Sequence, residues 1–497
     1  MRLRRKRILL YLALAFISFI FVLCYSSTTS PLFPGVYGAD SALFQVIGKY
    51  WSIELFGMEA KKSGGYGGIP YIDFFDHKGP LIFWINAVGY RIDAIWIIQG
   101  ISLFIAMLGI VDMLSLFELS DFKKTLVVFL SFSALILFYE GGNLTEEYCL
   151  PFLCWSLSKE LHFLCDGEEN HCYKYAVLYG ITFGVCLLTR ITNAATICPG
   201  IAMIGVILVL RKKWGNLIGN MVMFIVGVLV VSVPFAVYFA AEGALEEAIY
   251  GTIGYNLAYA ANSKSQAETT LLSILNSEGL NWKGRLVECI IYICRWASYF
   301  LGYAISIKLL FDRNKKAKLR GTFCLLTILA VSAVSLTGNR YPHYSMILVP
   351  VCGVIASELL QNKGMWKSAT AVVCIVGFGI LASHLNRDID LSMNKHADDV
   401  PEKYVDVEDN GAICYYNMPA REYLIHDIRP CYPYFVNQDW QGGKSGELAE
   451  RIHQTFETCK AKWIITGDEK NEISDILAAH YTKAYSEEGK YYYQRNE

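Results

Sequence analysis

The sequence predicts a mainly α-helical, polytopic membrane protein with a small α/β domain at its C-terminal end. Three observations lead there. Hydrophobic residues make up 54% of the 497 and charged residues only 18%, too apolar a balance for a soluble chain of this size. Several apolar runs exceed the roughly 18 residues that span a hydrocarbon core. Clusters of Lys and Arg recur only on alternate connections, so one orientation satisfies the whole chain, with the N-terminus inside and the C-terminus outside. The net charge of -1 adds little, because charge is sorted by side of the membrane.

In chain order, MRLRRKR precedes an apolar run from Ile8 to Cys24. No clean small-x-small cleavage site follows, so an uncleaved first span, basic end in the cytoplasm, is expected instead of a signal peptide. With this span at 8–25, others are expected near 94–117, 124–139, 146–162, 174–189, 191–210, 216–240, 286–310, 321–338, 343–361 and 367–384, about eleven in all. The cytoplasmic connections then hold Lys123 and Lys124, Lys159 and Lys174, the cluster at 211–213, the cluster at 313–320, and Lys363 with Lys367. The stretch 79–92 is apolar but too short to cross, and reads as an interfacial helix opened by Gly79-Pro80, with Trp84 and Tyr90 at headgroup level. The opposite side holds the first loop, GGNLTEEY, Arg190, the 241–285 connection, GNRYPHY and the tail.

From about Arg387 the composition turns polar and aromatic. Short β-rich runs (AICYYN, KWIITGD, KAYSEEGKYYYQR) alternate with helical stretches such as GELAERIHQTFETCK, which predicts a small α/β domain on the outer face. The expected division is 1–386, a multi-span domain whose first outer loop, 26–93, carries the site, and 387–497, an extracytoplasmic domain. Most of the 15 Cys lie inside apolar runs, where they act as small hydrophobes, and no CxxC pair occurs. Cys414, Cys431 and Cys459 could supply one disulfide if the tail faces an oxidising space.

The first loop is far longer than a connector needs to be, and long ordered loops usually have a function. It carries Asp40, Asp73, Asp76, His77 and Lys78 among aromatic residues. Asp40, close behind the first span, can serve as a general base when partly desolvated, or simply cap the helix that begins at Ser41. In YIDFFDHKGPL, Lys78 is a compact cation suited to a phosphate, or to headgroups at the interface. Asp76 and His77, with Asp73, could hold a divalent metal such as Mg or Mn, or pair ordinarily, since the spacing matches no standard cage.

These motifs carry a resemblance. An Asp shortly after the first span, a Gly-x-Pro-Tyr-x-Asp run and Lys-Gly-Pro-Leu resemble the first extracytoplasmic loop of C-type (GT-C fold) membrane glycosyltransferases, relatives of protein O-mannosyltransferases and aminoarabinose transferases. The resemblance implies a polyprenyl-phosphate sugar donor, Asp40 as catalytic base, Lys78 on the donor phosphate, and Tyr71 and Asp73 near the substrate. This chain reads KGP where many relatives have KPP, and has His77 where some have an acidic residue.

Later positions fall on the same side. Of Glu146 and Glu147 in YEGGNLTEEY, one can face the site, because ionisable groups at membrane depth are costly without a role, and the other can cap the next helix. Arg190 can grip phosphate or reach the interface. Arg340 and His343 in GNRYPHYSM resemble another outer loop of the family, next to the donor site, although a lone His is more often structural.

The implied activity is inverting transfer of a sugar from a polyprenyl-phosphate donor to a glycan, lipid or protein acceptor at the outer membrane face. No nucleic-acid partner is expected, and no GxGxxG or Walker pattern in a βα context suggests a soluble nucleotide donor. A flippase or transporter of lipid-linked sugars, and a non-catalytic envelope-assembly protein, are the rival classes. A transporter should place ionisable groups near mid-membrane, whereas here they gather at one face.

Overall fold

The computed structural model describes residues 2–32, 37–57, 66–262, 270–277, 281–336, 341–361, 377, 405, 409, 411–487 and 489–496. The helices in chain order are α1 (Arg2–Tyr25), α2 (Ala39–Phe56), α3 (Pro80–Arg91), α4 (Ile95–Met113), α5 (Asp121–Ile136), α6 (Thr145–Asp166), α7 (Tyr173–Leu187), α8 (Cys198–Leu210), α9 (Trp214–Ala241), α10 (Leu245–Ile249), α11 (Tyr255–Asn262), α12 (Leu271–Leu275), α13 (Trp282–Leu310), α14 (Lys315–Ser335) and α15 (Val349–Gln361). The tail adds β1 (Ile413–Tyr416), α16 (Arg421–Ile425), α17 (Gln438–Gly442), α18 (Gly446–Glu457), β2 (Trp463–Thr466), α19 (Ser474–His480), β3 (Tyr481–Glu487) and β4 (Lys490–Arg495).

Among the described residues, six helical segments are long and apolar enough to cross a membrane: Ile8–Tyr25, Ile95–Leu116, Trp214–Ala241, Trp282–Leu310, Lys315–Ser335 and Pro342–Gln361. The chain is a multi-pass membrane protein. The run expected as one span over 191–210 is broken, with a 3-10 turn over Ile191–Thr196 ahead of α8. Pro199 stands in the first turn of α8, a position that suits proline because the N–H it lacks would have no partner within the helix there. The span expected at 367–384 falls almost wholly outside the described residues.

The chain forms two compact units. One comprises 1–26, 99–234 and 265–394, the other 27–98, 235–264 and 395–497. In the first, α6 is buried along most of its length, with Leu150, Leu153, Leu157 and Leu161 all inside. Helices α7 and α9 meet through glycines: a Cβ on Gly180 would lie 2.0 Å from the Phe224 carbonyl, and one on Gly227 2.3 Å from that of Val177. Small residues let helix backbones approach in this way where lipid supplies no hydrophobic drive. Arg320 and Glu358 form a buried ion pair between α14 and α15.

In the second unit the tail strands form a sheet of order β1-β2-β4-β3, with β1 and β2 parallel and the other neighbours antiparallel. A parallel pair needs a crossover, and α18 lies within it, burying Leu448, Ile452 and Phe456 at a four-residue spacing. The predicted strands and this helix are all present. Phe75 of the first loop and Tyr255 of α11 belong to the same core as Tyr432, Ile464 and Phe456.

Candidate active site

The first loop is organised by two helices that run side by side in the same direction. The Phe44 and Phe83 rings are 6.1 Å apart, and a Cβ on Gly48 would meet Asn86 Cβ at 2.5 Å and the Ala87 nitrogen at 2.8 Å. The offset between α2 and α3 thus stays at 38 to 39 residues over a helical turn, which is the signature of a parallel pair. Carried one turn back, the same offset would pair Asp40 in the first turn of α2 with Gly79, the N-cap of α3, which Lys78 precedes in the chain. Both helices start from glycines in extended conformation, and Pro80 occupies the first turn of α3.

Asp40 is exposed, and its carboxylate has no hydrogen-bond or ion-pair partner among the described residues. It does not cap a helix beginning at Ser41: the helix begins one residue before it, at Ala39, with Gly38 as the N-cap. The Lys78 ammonium likewise makes no ion pair among the described residues. Its backbone, by contrast, is held at both ends, because the Tyr71 hydroxyl donates to its carbonyl at 2.7 Å and its N–H donates to Asp76 at 3.2 Å.

The residues around Lys78 build this loop. Tyr71 is buried with φ +73, a region rarely used by aromatic residues and costing of order 1–3 kcal/mol. Its N–H bonds the Phe74 carbonyl, and its ring packs edge-on against Phe83 and Phe239. Asp73 accepts from the Ile69 N–H at 2.8 Å while its own N–H donates to the Ile69 carbonyl, so it closes a local turn. Asp76 is buried and lies 3.2 Å from His77 Nδ1. Burial alone would raise its pKa, but His77, Lys78 and the backbone hold the carboxyl below its ordinary value. Outside contacts complete the frame: Phe75 N–H donates to the Pro433 carbonyl, Asn256 Nδ2 to the His77 carbonyl, and Arg429 to the Gly67 carbonyl. A divalent cation needs more ligands than Asp76 and His77 supply, and among the described residues no three His, Cys, Asp or Glu side chains converge on one point. Any cation held at Asp76 and His77 would take the rest of its shell from water or substrate oxygens.

The other candidates lie in the first unit. Glu146 and Glu147, indistinguishable in the sequence, have separate roles. Glu147 is buried and takes hydrogen bonds from Tyr139 (2.8 Å), Gln99 (3.0 Å) and the Asn143 N–H (2.6 Å), a satisfied structural carboxylate. Glu146 is buried and pairs with Arg190 at 2.9 Å, whose guanidinium lies 3.2 Å over the Tyr344 ring. Arg190 is therefore a cation already paired with a carboxylate. His343 Nδ1 is 2.6 Å from Glu140, a residue at φ +44 that begins four successive left-handed residues through Asn143. Burial alone would raise the Glu140 pKa, yet His343 and Arg295 hold it below its ordinary value. Arg340 lies outside the described residues.

Sequence reasoning missed one contributor, Lys49 on α2, which is buried and forms an ion pair with Asp427 of the tail. A lysine set between apolar and aromatic neighbours in VIGKYW was the available signal.

No protein-family model and no curated protein matches the chain. Among solved structures, ArnT from Cupriavidus metallidurans in the apo state matches at TM-score 0.54 and 12% identity, over 99% of this chain and 98% of that one. The structure of ArnT from the same organism bound to undecaprenyl phosphate matches at TM-score 0.52 and 12% identity, over 98% of each chain. At this identity the likeness is one of fold, and the chain has the fold of ArnT, the GT-C architecture that its first-loop motifs led us to expect.

Proposed function

We propose that this chain is a membrane glycosyltransferase that moves a sugar from a polyprenyl-phosphate donor to a hydroxyl of a glycan, lipid or protein acceptor on the extracytoplasmic side. The observation that carries the proposal is the parallel pairing of α2 and α3, with an unengaged carboxylate at the head of one helix and an unengaged ammonium just before the head of the other. The likeness to a structure of ArnT bound to undecaprenyl phosphate supports a polyprenyl-phosphate partner.

An alcohol is a weak nucleophile, and a phosphate on an anomeric carbon is a good leaving group once its charge is held. Asp40 takes the acceptor proton as the acceptor oxygen bonds to the anomeric carbon. The bond from that carbon to the phosphate oxygen breaks in the same displacement, with inversion, and polyprenyl phosphate departs as an anion. Lys78, together with the positive end of α3 behind Gly79-Pro80, stabilises that charge. Tyr71 acts as a positioning residue, since its hydroxyl holds the Lys78 backbone.

The test is transfer of radiolabelled sugar from undecaprenyl-phosphate donor by the full chain in proteoliposomes. Asp40→Asn should reduce transfer by about 10²–10⁴-fold and Lys78→Ala by about 10²–10³-fold, with melting temperatures unchanged. Near-native transfer by a folded Asp40→Asn protein, or lipid movement without sugar transfer in the parent, would overturn the proposal.

A further inference from the structure

A second constellation adjoins Lys78 in the chain and takes no part in the chemistry above. The His77 and Tyr259 rings stack at 5.9 Å and 25°, Tyr259 and Trp440 are 5.7 Å apart, and His77 and Trp440 6.3 Å. The Lys444 ammonium sits 5.7 Å from the Tyr259 centroid and 5.8 Å from that of Trp440. All four residues are half-buried, while Tyr255 behind them is fully buried and donates to the Gln441 carbonyl.

Three segments remote in sequence are pinned to build this platform. Asn256 Nδ2 holds the His77 carbonyl at 2.7 Å, and Asn262 Nδ2 holds the Lys444 carbonyl at 3.1 Å. Core packing accounts for Tyr255 but not for a lysine drawn over two half-exposed rings. Lys444 has no carboxylate partner among the described residues. The carboxylates near it in the chain or beside the rings are engaged: Asp439 with Tyr416 and Asn417, Glu447 with Arg451, and Asp76 with the Lys78 N–H. A partly open aromatic surface with an uncompensated cation suits a ligand that offers a flat apolar face and an anionic group.

Resting on the glycosyltransferase reading, we propose that His77, Tyr259, Trp440 and Lys444 form an acceptor subsite for a saccharide bearing an acidic group, the apolar face of a pyranose lying on Trp440 and Tyr259 and its carboxylate or phosphate meeting Lys444. The acceptor is thereby a charged glycan, and the tail contributes directly to its selection.

The experiment is ligand-observed saturation-transfer NMR and calorimetric titration on the full chain in nanodiscs. The probes are hyaluronan tetrasaccharide, its uncharged counterpart chitotetraose, glucuronic acid and mannose 6-phosphate. The proposal expects the hyaluronan fragment to bind more tightly than chitotetraose, and Trp440→Ala and Lys444→Met each to weaken it by about tenfold. Trp440→Phe, which keeps a ring and the fold, should lose no more than about threefold. Glucuronic acid outcompeting mannose 6-phosphate assigns the anion as a carboxylate, and the reverse as a phosphate; either supports the subsite. No saccharide binding, equal binding of the neutral fragment, or binding indifferent to Trp440→Ala and Lys444→Met in melting-competent protein overturns it. Donor turnover is measured in parallel. Binding by a parent chain that shows no donor turnover leaves the subsite standing and removes the enzymatic reading, whereas turnover without binding does the opposite.

Discussion

The spacing between α2 and α3 is the most exposed part of the proposed mechanism, and Gly48→Ala addresses it with one methyl group. The new Cβ would stand 2.5 Å from Asn86 Cβ, 2.6 Å from the Asn86 carbonyl carbon and 2.8 Å from the Ala87 nitrogen. Carbon contacts settle at about 3.5–4.0 Å, so the two helices must part by about 1 Å. Two of the three obstructing atoms are backbone and cannot swing aside. Overpacking of this kind costs about 1–3 kcal/mol, and the helix-forming gain of Gly→Ala returns about 1 kcal/mol, leaving a modest net destabilisation. Activity is far more sensitive, because a displacement of about 1 Å between catalytic groups can cost about 10²-fold. The expected signature is therefore a protein that melts within a few degrees of the parent and transfers sugar about a hundredfold more slowly. Gly205→Ala on α8, where a Cβ meets nothing within 4 Å, is the matched control and should leave transfer unchanged. If Gly48→Ala transferred sugar within about twofold of the parent, the α2–α3 register would not set the geometry of Asp40 and Lys78.

Three further outcomes are expected. The folded pKa of Asp76 is depressed, so its contribution to stability is present in full above the ordinary carboxylate value of about 4 and is lost as pH falls through the lowered value; Asp76→Asn should flatten the acid limb of a melting-temperature-versus-pH curve, and an unchanged limb would disprove the assignment. Glu146→Ala leaves a largely buried Arg190 without its counter-ion and should destabilise by about 3 kcal/mol, most of which Glu146→Ala with Arg190→Met should restore in a double-mutant cycle. The Cys414 and Cys431 thiols are buried side by side, burial and mutual contact pushing Cys414 up; with the tail in an oxidising compartment, non-reducing peptide mapping should find these two joined and Cys459 free.

Local chemistry made much of the architecture legible. Apolar runs announce helices because lipid demands internally satisfied backbone, and the short β-branched and aromatic runs AICYYN and KWIITGD, set between helical stretches, announce strands that are buried throughout. Gly79-Pro80 announced the start of α3 for an equally local reason. The candidate residues of the first loop could be named for the same cause, since a carboxylate, an ammonium and their aromatic neighbours sit within a few dozen residues of one another.

What the sequence by itself determined is thus which segments are helix or strand and which polar groups are too conspicuous to be ornamental. Tertiary structure alone decided how those groups are used. It divided Glu146 from Glu147, one paired with Arg190 and the other satisfied by three donors, and it turned Asp73 into a turn-closing residue. It tied Lys49 to Asp427, 378 residues away, and gathered His77, Tyr259, Trp440 and Lys444. The physical reason is range. Helix and strand preferences are settled within a turn or two of chain, whereas the partner of a buried charge is whatever the fold brings within about 4 Å, and no local pattern encodes that.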